Sequence, residues 1–423
     1  MSYNWRNRTP KNTLLVWREG ARVKVSVNKL IVFMFAAIML LPDYFSSSLL
    51  NALENVLLIG TGCILLKYRY RPSKWMCVAF AYCILLVCSS YYNFTDKANY
   101  HFVISNLKII ILLCAVEWET KKYGKSALKS IWGFLLIILS ANTASIVLFP
   151  NGLYQIDYVW NEWGAKDVMR QWILGNKNSQ TVWYLLLLII TYMLFSDAHT
   201  SRGKLKNKVI LLYTITISFI TMLLVASSTG IVAVAVLAVG IALSFFEKTI
   251  FDFEWNPKWI LVGYVVISVV IIGGNATFLK PLVADLFGKD LTFSNRTTVW
   301  LRSLVLFIQK PIFGWGVLGD DGMRNALGSL SYTSAHNQFL NTMLQGGLIL
   351  FLILIAMIYI VFDKLSKCED KKDKLVGSMG MIGVLVTMLF ETVLGGTQCW
   401  VLLYCVYCLA DMSIAKVEAR NSN

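Results

Sequence analysis

The chain has 423 residues, of which 57% are apolar and 15% charged, and its mean hydropathy is +0.61. Soluble domains carry roughly 25% charged residues, so this composition excludes a soluble globular protein. The net charge of +15 does not indicate a nucleic-acid-binding protein, because the basic residues lie in short loops between apolar segments. Eight of the nine cysteines lie in apolar segments and are expected to be small apolar residues.

Apolar segments long enough to cross a membrane follow one another along nearly the whole chain. About 20 apolar residues are needed to cross the ~30 Å hydrocarbon core of a bilayer. The segments lie at 29–47, 49–66, 75–93, 100–118, 127–149, 181–197, 209–226, 229–246, 259–274, 338–362, 375–394 and 397–415. We therefore predict an all-α polytopic membrane protein with about 12 transmembrane helices, folded as a single polytopic membrane domain over residues 1–423.

The distribution of basic residues predicts the orientation of these helices. Lys and Arg are enriched in cytoplasmic loops. With a cytoplasmic amino terminus, 28 of the 39 basic residues fall in cytoplasmic segments and 10 in outer segments. Both termini are therefore predicted to be cytoplasmic. The two longest loops, from Pro150 to about Gln180 and over residues 275–337, then lie outside, where a rigid scaffold can present functional residues.

The large outer loop between the ninth and tenth spans contains a predicted amphipathic helix at Asn295–Lys310. Ser294 or Asn295 could cap its start, and Pro311 should end it. Such a helix is expected to lie in the outer headgroup region, with its basic residues solvated or engaged by a ligand. Its predicted apolar side consists of Trp300, Leu301, Leu304, Val305, Phe307 and Ile308.

Two turns follow this helix. Pro311–Gly316 has glycines on both sides of an aromatic residue, which predicts a tight turn with a close approach of another backbone. Asp320 and Asp321 lie in a second turn, where solvated side chains are expected rather than metal ligands.

His336 stands directly before the tenth span, at the predicted outer face of the membrane. A histidine there can exchange a proton near neutral pH, and its alternative role is a structural one. Arg296 and Arg302 lie on the neighbouring helix and offer rigid donor forks that suit phosphate. Together these residues could bind a lipid-linked pyrophosphate and deprotonate an attacking hydroxyl, which are the requirements of a glycosyl transfer.

Four segments carry a resemblance to a known family. They are Asn295–Trp300, Lys310–Gly316, Ala335–Leu340 and the pair Gly346–Gly347. Their pattern is similar to the superfamily of O-antigen ligases and of O-antigen and capsular polysaccharide polymerases, and the close similarity covers about 55 residues. The first outer loop resembles an earlier family element through Arg170, Gly175 and Asn178. The family's S-x-R-G-like element corresponds to Ser227–Gly230, without its arginine.

The resemblance implies a membrane-embedded, metal-independent inverting glycosyltransferase that uses no cofactor. By position, it implies that Arg296 and Arg170 bind the donor pyrophosphate and that His336 activates the acceptor hydroxyl. Further candidates for substrate binding are Arg302, Arg324 and Asn337. The implied substrates are oligosaccharides linked to undecaprenyl pyrophosphate, and the implied location is the bacterial cytoplasmic (inner) membrane. A flippase and a chain-length regulator are candidate partners beside the membrane lipid, and no nucleic acid is expected.

Three functions remain as alternatives at this point. We favour a polymerase of lipid-linked repeat units for O-antigen or capsule biosynthesis. A ligase would instead transfer a finished glycan to an acceptor. A secondary transporter is the main alternative from another class, but the chain shows no repeat of one half by the other. Glu54, Lys108 and Glu391 lie inside predicted spans, where charged residues often serve function, although helix packing or snorkelling could also explain them.

Overall fold

The computed structural model describes residues 13–18, 21–160, 166–196, 201–245, 256–272 and 296–421. Within these ranges the chain forms fourteen α-helices, two β-hairpins and a short 3-10 helix at Asp43–Phe45. A predominantly helical polytopic architecture is therefore confirmed. Residues 275–295 of the predicted outer loop, and with them both predicted cap residues of the amphipathic helix, lie outside the described residues.

The elements alternate long helices with short connections. The strands are β1 (Thr13–Arg18), β2 (Ala21–Ser26), β3 (Tyr154–Trp160) and β4 (Lys166–Gln171). The helices are α1 (Val27–Met39), α2 (Ser48–Lys67), α3 (Lys74–Tyr92), α4 (Tyr100–Tyr123), α5 (Lys125–Leu148), α6 (Thr181–Phe195), α7 (Ser201–Leu224), α8 (Ser228–Leu243), α9 (Lys258–Ile272), α10 (Arg296–Gln309), α11 (Asp320–Leu327), α12 (Gln338–Ser366), α13 (Lys371–Phe390) and α14 (Thr397–Asn421). Side-chain oxygens cap the first turns of α2, α3, α4 and α8, which satisfies backbone N–H groups there.

Eight of these helices are long and apolar enough to cross a membrane, namely α2, α3, α4, α5, α7, α12, α13 and α14. Four shorter apolar helices, α1, α6, α8 and α9, have 13 to 16 residues. At 1.5 Å per residue they reach about 20–24 Å, which is less than the hydrocarbon core. Each of the twelve predicted segments coincides with one of these helices. Their positions are confirmed, whereas the number of complete crossings stays a prediction.

Two antiparallel hairpins, β1–β2 and β3–β4, are not part of the all-α prediction. The second hairpin occupies the first predicted outer loop. Its strand β3 has aromatic or β-branched residues at every second position, which is the period of a strand (Tyr154, Ile156, Tyr158 and Trp160). This alternating pattern is short and lies between longer apolar segments, so it was not recognised as a strand.

The core of the protein surrounds α6. Every residue from Thr181 to Met193 is buried, and the helix packs against α5, α7, α8, α13 and α14. The neighbouring helices α8 and α13 approach each other closely, because Gly240 and Gly383 place no side chain between them. This packed core supports the adjacent ends of α12 and α13.

The predicted turn at Pro311–Gly316 enters a break in α12. At Gly347 the backbone adopts φ 63° and ψ −159°, a conformation that is essentially restricted to glycine. The turn supplies hydrogen bonds to the interrupted helix: Trp315 N to Leu344 O (2.6 Å), Gly316 N to Gln345 O (3.0 Å) and Leu348 N to Pro311 O (2.7 Å). The turn thus replaces bonds that a continuous helix would make within itself.

Helix α3 holds the turn from the other side. The Ser89 hydroxyl lies 2.6 Å from Phe313 O and 2.7 Å from Gln345 O. Its single proton can be donated to either carbonyl, one in the turn and the other in α12. Asn93 Nδ2 donates to Gly314 O at 3.1 Å. The turn, α3 and α12 therefore form one hydrogen-bonded unit.

Substitution of Gly314 or Gly347 by alanine should destabilise the protein by a few kcal/mol, because both residues have positive φ and face backbone atoms. A Cβ on Gly314 would lie 2.5 Å from Leu344 O, and a Cβ on Gly347 would meet Ile312 O. The apparent melting temperature in detergent measures the effect. Gly133→Ala in α5 is the control, since a Cβ there meets nothing within 4 Å. Equal melting temperatures for all three variants would contradict the docking role of the turn.

Candidate functional site

His336 lies two residues before the start of α12, and its backbone has a φ of 46°. A positive φ is uncommon for a residue other than glycine and has a free-energy cost, so the surrounding contacts must hold it. The ring Nδ1 lies 3.3 Å from Glu391 Oε2, and the imidazole and the ring of Tyr332 are T-shaped to each other with 5.3 Å between centroids. The side chain is 25% exposed, which leaves the imidazole accessible to a ligand.

Asn337 anchors the start of α12. Its Oδ1 accepts hydrogen bonds from the N–H groups of Phe339 and Leu340, each at 3.0 Å, and its Nδ2 donates to Leu389 O at 3.0 Å. The side chain is buried, and both ends of its amide bind the protein itself. These bonds fix the beginning of α12 to the end of α13, while the predicted contact of Asn337 with substrate stays a prediction.

Glu391 follows the last residue of α13 and joins His336 to Arg296. Arg296 Nη2 lies 2.7 Å from Glu391 Oε1, and Nη1 of the same guanidinium donates to Phe390 O. The other carboxylate oxygen of Glu391 faces His336 Nδ1. One buried carboxylate therefore connects the predicted catalytic residues, which lie on different elements.

The charge of Glu391 depends on these two neighbours. Burial acts to raise the pKa of its carboxyl group, but the positive charge of Arg296 and the hydrogen bond from His336 outweigh it and hold the pKa below its ordinary value. The group is therefore ionised at neutral pH. Because its pKa is lowered in the folded state, its contribution to stability is present above the ordinary carboxyl pKa and is lost as the pH falls.

A cleft of about 810 Å³ opens beside this group. His336 and Glu391 line it together with Arg170 from β4 and Lys177 and Asn178 from the loop that follows. The two predicted outer loops, which are far apart in sequence, thus meet at one cavity. The size is typical of a ligand pocket, and the two cations favour an anionic group.

The predicted arginines occupy different positions around this cleft. Arg170 is exposed and lines it, whereas Arg296 contacts Glu391 and is not among the lining residues. Arg302 Nη1 donates to Leu327 O at 2.6 Å and to Gly328 O at 2.7 Å, which secures the carboxyl end of α11. The predicted contacts of these arginines with substrate stay predictions.

Helix α11 replaces the predicted second turn. Asp320 and Asp321 form its first turn, where carboxylates are favourable to the helix dipole. Arg324 Nη1 lies 2.9 Å from Asp321 Oδ1 within the same helix. Arg324 does not line the cleft beside His336, and its predicted role in substrate binding also stays a prediction.

Helix α10 differs from the predicted amphipathic helix in which of its residues are buried. Trp300, which belongs to the predicted apolar side, is buried, but so is Ser303, which is not part of that side and donates to Val299 O at 2.8 Å. Leu301, Val305 and Ile308, three of the predicted apolar residues, are exposed. The helix packs against α9, α11 and α12, and its buried residues are Val299, Trp300 and Ser303.

Several residues of the site were not predicted as such. The position of Glu391 inside an apolar segment is a signal in the sequence, but its partners could not be identified from that signal. Thr392 and Gln398 also line the cleft, and an uncharged polar residue in such a segment gives no comparable signal.

Residues 213–355 match a family model described as O-antigen ligase. The match spans about a third of the chain and includes Arg296, the turn at Pro311–Gly316 and His336, but neither Arg170 nor Glu391. It confirms the resemblance to the superfamily of O-antigen ligases and polymerases and supports an activity of this type in general. No curated protein matches the chain.

Replacement of Glu391 by glutamine should destabilise the protein by about 3–5 kcal/mol, because removal of one member of a buried ion pair leaves the other uncompensated. Thermal unfolding across a pH series measures this effect. The wild type should lose stability as the pH falls below the ordinary carboxyl range, and the variant should lack this component.

Asp363→Asn is the matched control, since Asp363 pairs with Lys258 and Lys367 at 2.6 Å each, and its side chain is 30% exposed against 11% for Glu391. A small effect is expected there. If both variants shift the melting temperature equally, Glu391 does not have the proposed structural importance.

Proposed function

We propose, from the O-antigen ligase match over residues 213–355 and the cleft beside His336, that the protein is a polysaccharide polymerase. It joins oligosaccharide repeat units carried on undecaprenyl pyrophosphate by inverting glycosyl transfer. The reaction takes place on the outer face of the bacterial cytoplasmic membrane, with both termini in the cytoplasm. Residues 275–337 then form the large extracytoplasmic loop of a single membrane domain.

The observation that carries this proposal is the histidine–carboxylate pair on the wall of a cationic cleft. Glu391 Oε2 can accept a hydrogen bond from the Nδ1–H of His336, which selects the tautomer with an unprotonated Nε2. A neutral Nε2 is the atom that can accept a proton from a sugar hydroxyl. Arg296 holds the Glu391 carboxylate and thereby acts as a positioning residue.

The chemical step follows from this arrangement. His336 Nε2 takes the proton of the acceptor hydroxyl as its oxygen attacks the anomeric carbon of the donor. The new bond forms on the face opposite to the pyrophosphate, so the configuration inverts. The bond between the anomeric carbon and the phosphate oxygen breaks, and its electron pair leaves with undecaprenyl pyrophosphate. General base catalysis of this kind contributes about 10²–10⁴-fold to the rate.

The leaving group gains negative charge during this step. Arg170 and Lys177 line the same cleft as His336 and can stabilise that charge. Arg170 is exposed to the cleft from a β-hairpin, which is a more rigid support than a free loop. We retain the predicted contact of Arg296 with the pyrophosphate as part of the proposal. An arginine has five donor N–H groups, and the hydrogen bonds to Phe390 O and Glu391 Oε1 use two of them, so other N–H groups can bind the pyrophosphate.

A ligase is the second candidate, because the matching family model is described as O-antigen ligase. Both reactions use the same donor and the same proton transfer, and they differ in the acceptor. A polymerase transfers the chain to another lipid-linked unit, whereas a ligase transfers it to a different molecule. A flippase that delivers the donor and a regulator of chain length are the partners we propose for the polymerase.

His336→Ala should reduce glycosyl transfer by about 10²–10⁴-fold without preventing insertion of the protein. The variant is expressed in cells that lack the native gene, and the glycans are compared by gel with the lipid-linked fraction. Single repeat units on lipid support the polymerase, while full-length chains on lipid support the ligase. His101→Ala is the control, since His101 is exposed at the start of α4. Normal glycan from the His336 variant would contradict both candidates.

Arg170→Gln and Arg302→Gln should separate binding of the leaving group from structural support. Loss of Arg170 should lower kcat by about 10²–10³-fold with little change in melting temperature, because the side chain is exposed and lines the cleft. Loss of Arg302 should mainly lower the melting temperature, because two backbone carbonyls lose their donor. The reverse result would assign the substrate contact to Arg302.

A further inference from the structure

A second cleft, of about 720 Å³, adjoins the one beside His336. The two clefts share lining residues, among them Asn176, Gly396 and Gln398. The second cleft extends from this common wall toward α2 and α4. A molecule that reacts at His336 can therefore extend from the first cleft into the second.

The floor of the second cleft carries an ion pair. Glu54 on α2 and Lys108 on α4 approach each other with 2.9 Å between Oε1 and Nζ, and both side chains are largely buried. Asn51, three residues before Glu54, and Ser105, three residues before Lys108, also line the cleft. Because residues three apart lie on one side of a helix, α2 and α4 present facing polar stripes.

Charged side chains within apolar helices have a free-energy cost, so a function is expected to account for them. Both residues lie in helices long and apolar enough to cross a membrane. A buried ion pair is often no more stabilising than apolar residues of similar volume, so stability alone does not account for it. A carboxylate has two oxygens and an ammonium group three protons, so the single contact between Glu54 and Lys108 leaves both able to bind a ligand.

The rim of the second cleft is aromatic. Tyr44 and Phe45 follow α1, and Tyr154 comes from β3. The ring of Tyr44 lies 5.1 Å from that of Phe45 and 5.7 Å from that of Tyr154, and all three side chains are exposed. A group of exposed rings above a polar floor can hold a molecule with apolar faces and a polar edge.

We infer that the second cleft binds an oligosaccharide. A pyranose ring presents C–H faces to aromatic side chains and hydroxyl groups to charged ones, which can bind them with charge-assisted hydrogen bonds. The charges within the cleft separate it from the first: Asp43, Glu54 and Lys108 give a small negative net charge, whereas Arg170 and Lys177 exceed Glu391 beside His336. The pyrophosphate therefore belongs in the first cleft and the glycan in the second. The polar floor disfavours the polyprenyl chain.

This inference rests on the proposed glycosyl transfer, but binding can be measured independently of it. The probe is the saccharide released by mild acid from the lipid-linked fraction of the producing cells. Its dissociation constant for the detergent-purified protein is measured by saturation-transfer NMR. The double variant Glu54→Leu/Lys108→Met removes the charges together and avoids an unpaired one. It should weaken binding by about tenfold or more, since each charge-assisted hydrogen bond is worth at least that factor.

Matched variants serve as controls for the binding measurement. Lys258→Met/Asp363→Leu removes an ion pair that lines neither cleft, and saccharide binding should not change. Tyr44→Phe should retain binding and Tyr44→Leu should weaken it, because only the first keeps the ring. Equal affinity in the wild type and the Glu54/Lys108 variant, or no binding to the wild type, overturns the inference.

Transfer assays then identify which glycan occupies the cleft. The released saccharide has no leaving group and can only be an acceptor, whereas a lipid-linked unit with blocked terminal hydroxyls can only be a donor. A raised KM of the Glu54/Lys108 variant for one of these assigns the cleft to that substrate, and unchanged KM values for both contradict its use in the reaction. If the wild type binds saccharide but transfers nothing, the proposed function fails while the binding site stands.

Discussion

A helix that is interrupted inside a membrane has backbone groups without hydrogen-bond partners. Its free N–H and C=O groups find no water there, so the protein itself must satisfy them. In α12 the interruption at Gly347 is resolved by the turn at Pro311–Gly316, which supplies donors and acceptors to the exposed backbone. The position of α10 and the start of the loop that leads to His336 depend on this docking, because both are connected to the turn.

The same interaction explains why small residues are required at two distant places in the chain. Gly314 and Gly347 bring two backbones into direct contact, and a side chain on either would separate them. A glycine motif that resembles a family signature therefore has a structural function here. It supports the proposed catalytic arrangement from a distance, and its glycines contribute no chemical group to the cleft.

Glu391 provides the second connection between remote elements. It stands at the end of α13, where it binds Arg296 from the start of α10 and His336 from the segment before α12. One carboxylate thus sets the orientation of the imidazole and offsets the charge of the arginine in a buried site. The cleft beside His336 and the second cleft that adjoins it differ in net charge, which suits the proposed substrate, anionic at its pyrophosphate end and a polyol at the other.

The sequence by itself determined the positions of the twelve long apolar segments and the residues of the family motif, whereas α11 was predicted as a turn. Apolar segments of membrane length are local features, and a pattern such as that around His336 can be recognised without knowing what surrounds it. The hairpin that carries Arg170 escaped this reasoning, because a short strand pattern is weak beside long apolar segments.

Only the tertiary structure decided which of these residues act together. Arg296 and Glu391 are 95 positions apart, and Glu54 and Lys108 lie on separate helices, so their pairing depends on how the helices pack. The contacts of Arg302 and Asn337 could not be predicted from the sequence either. Their residue types suit substrate binding, yet their described hydrogen bonds connect parts of the protein to each other. A local pattern defines what a side chain can bind, and packing over long distances in the chain defines what it meets.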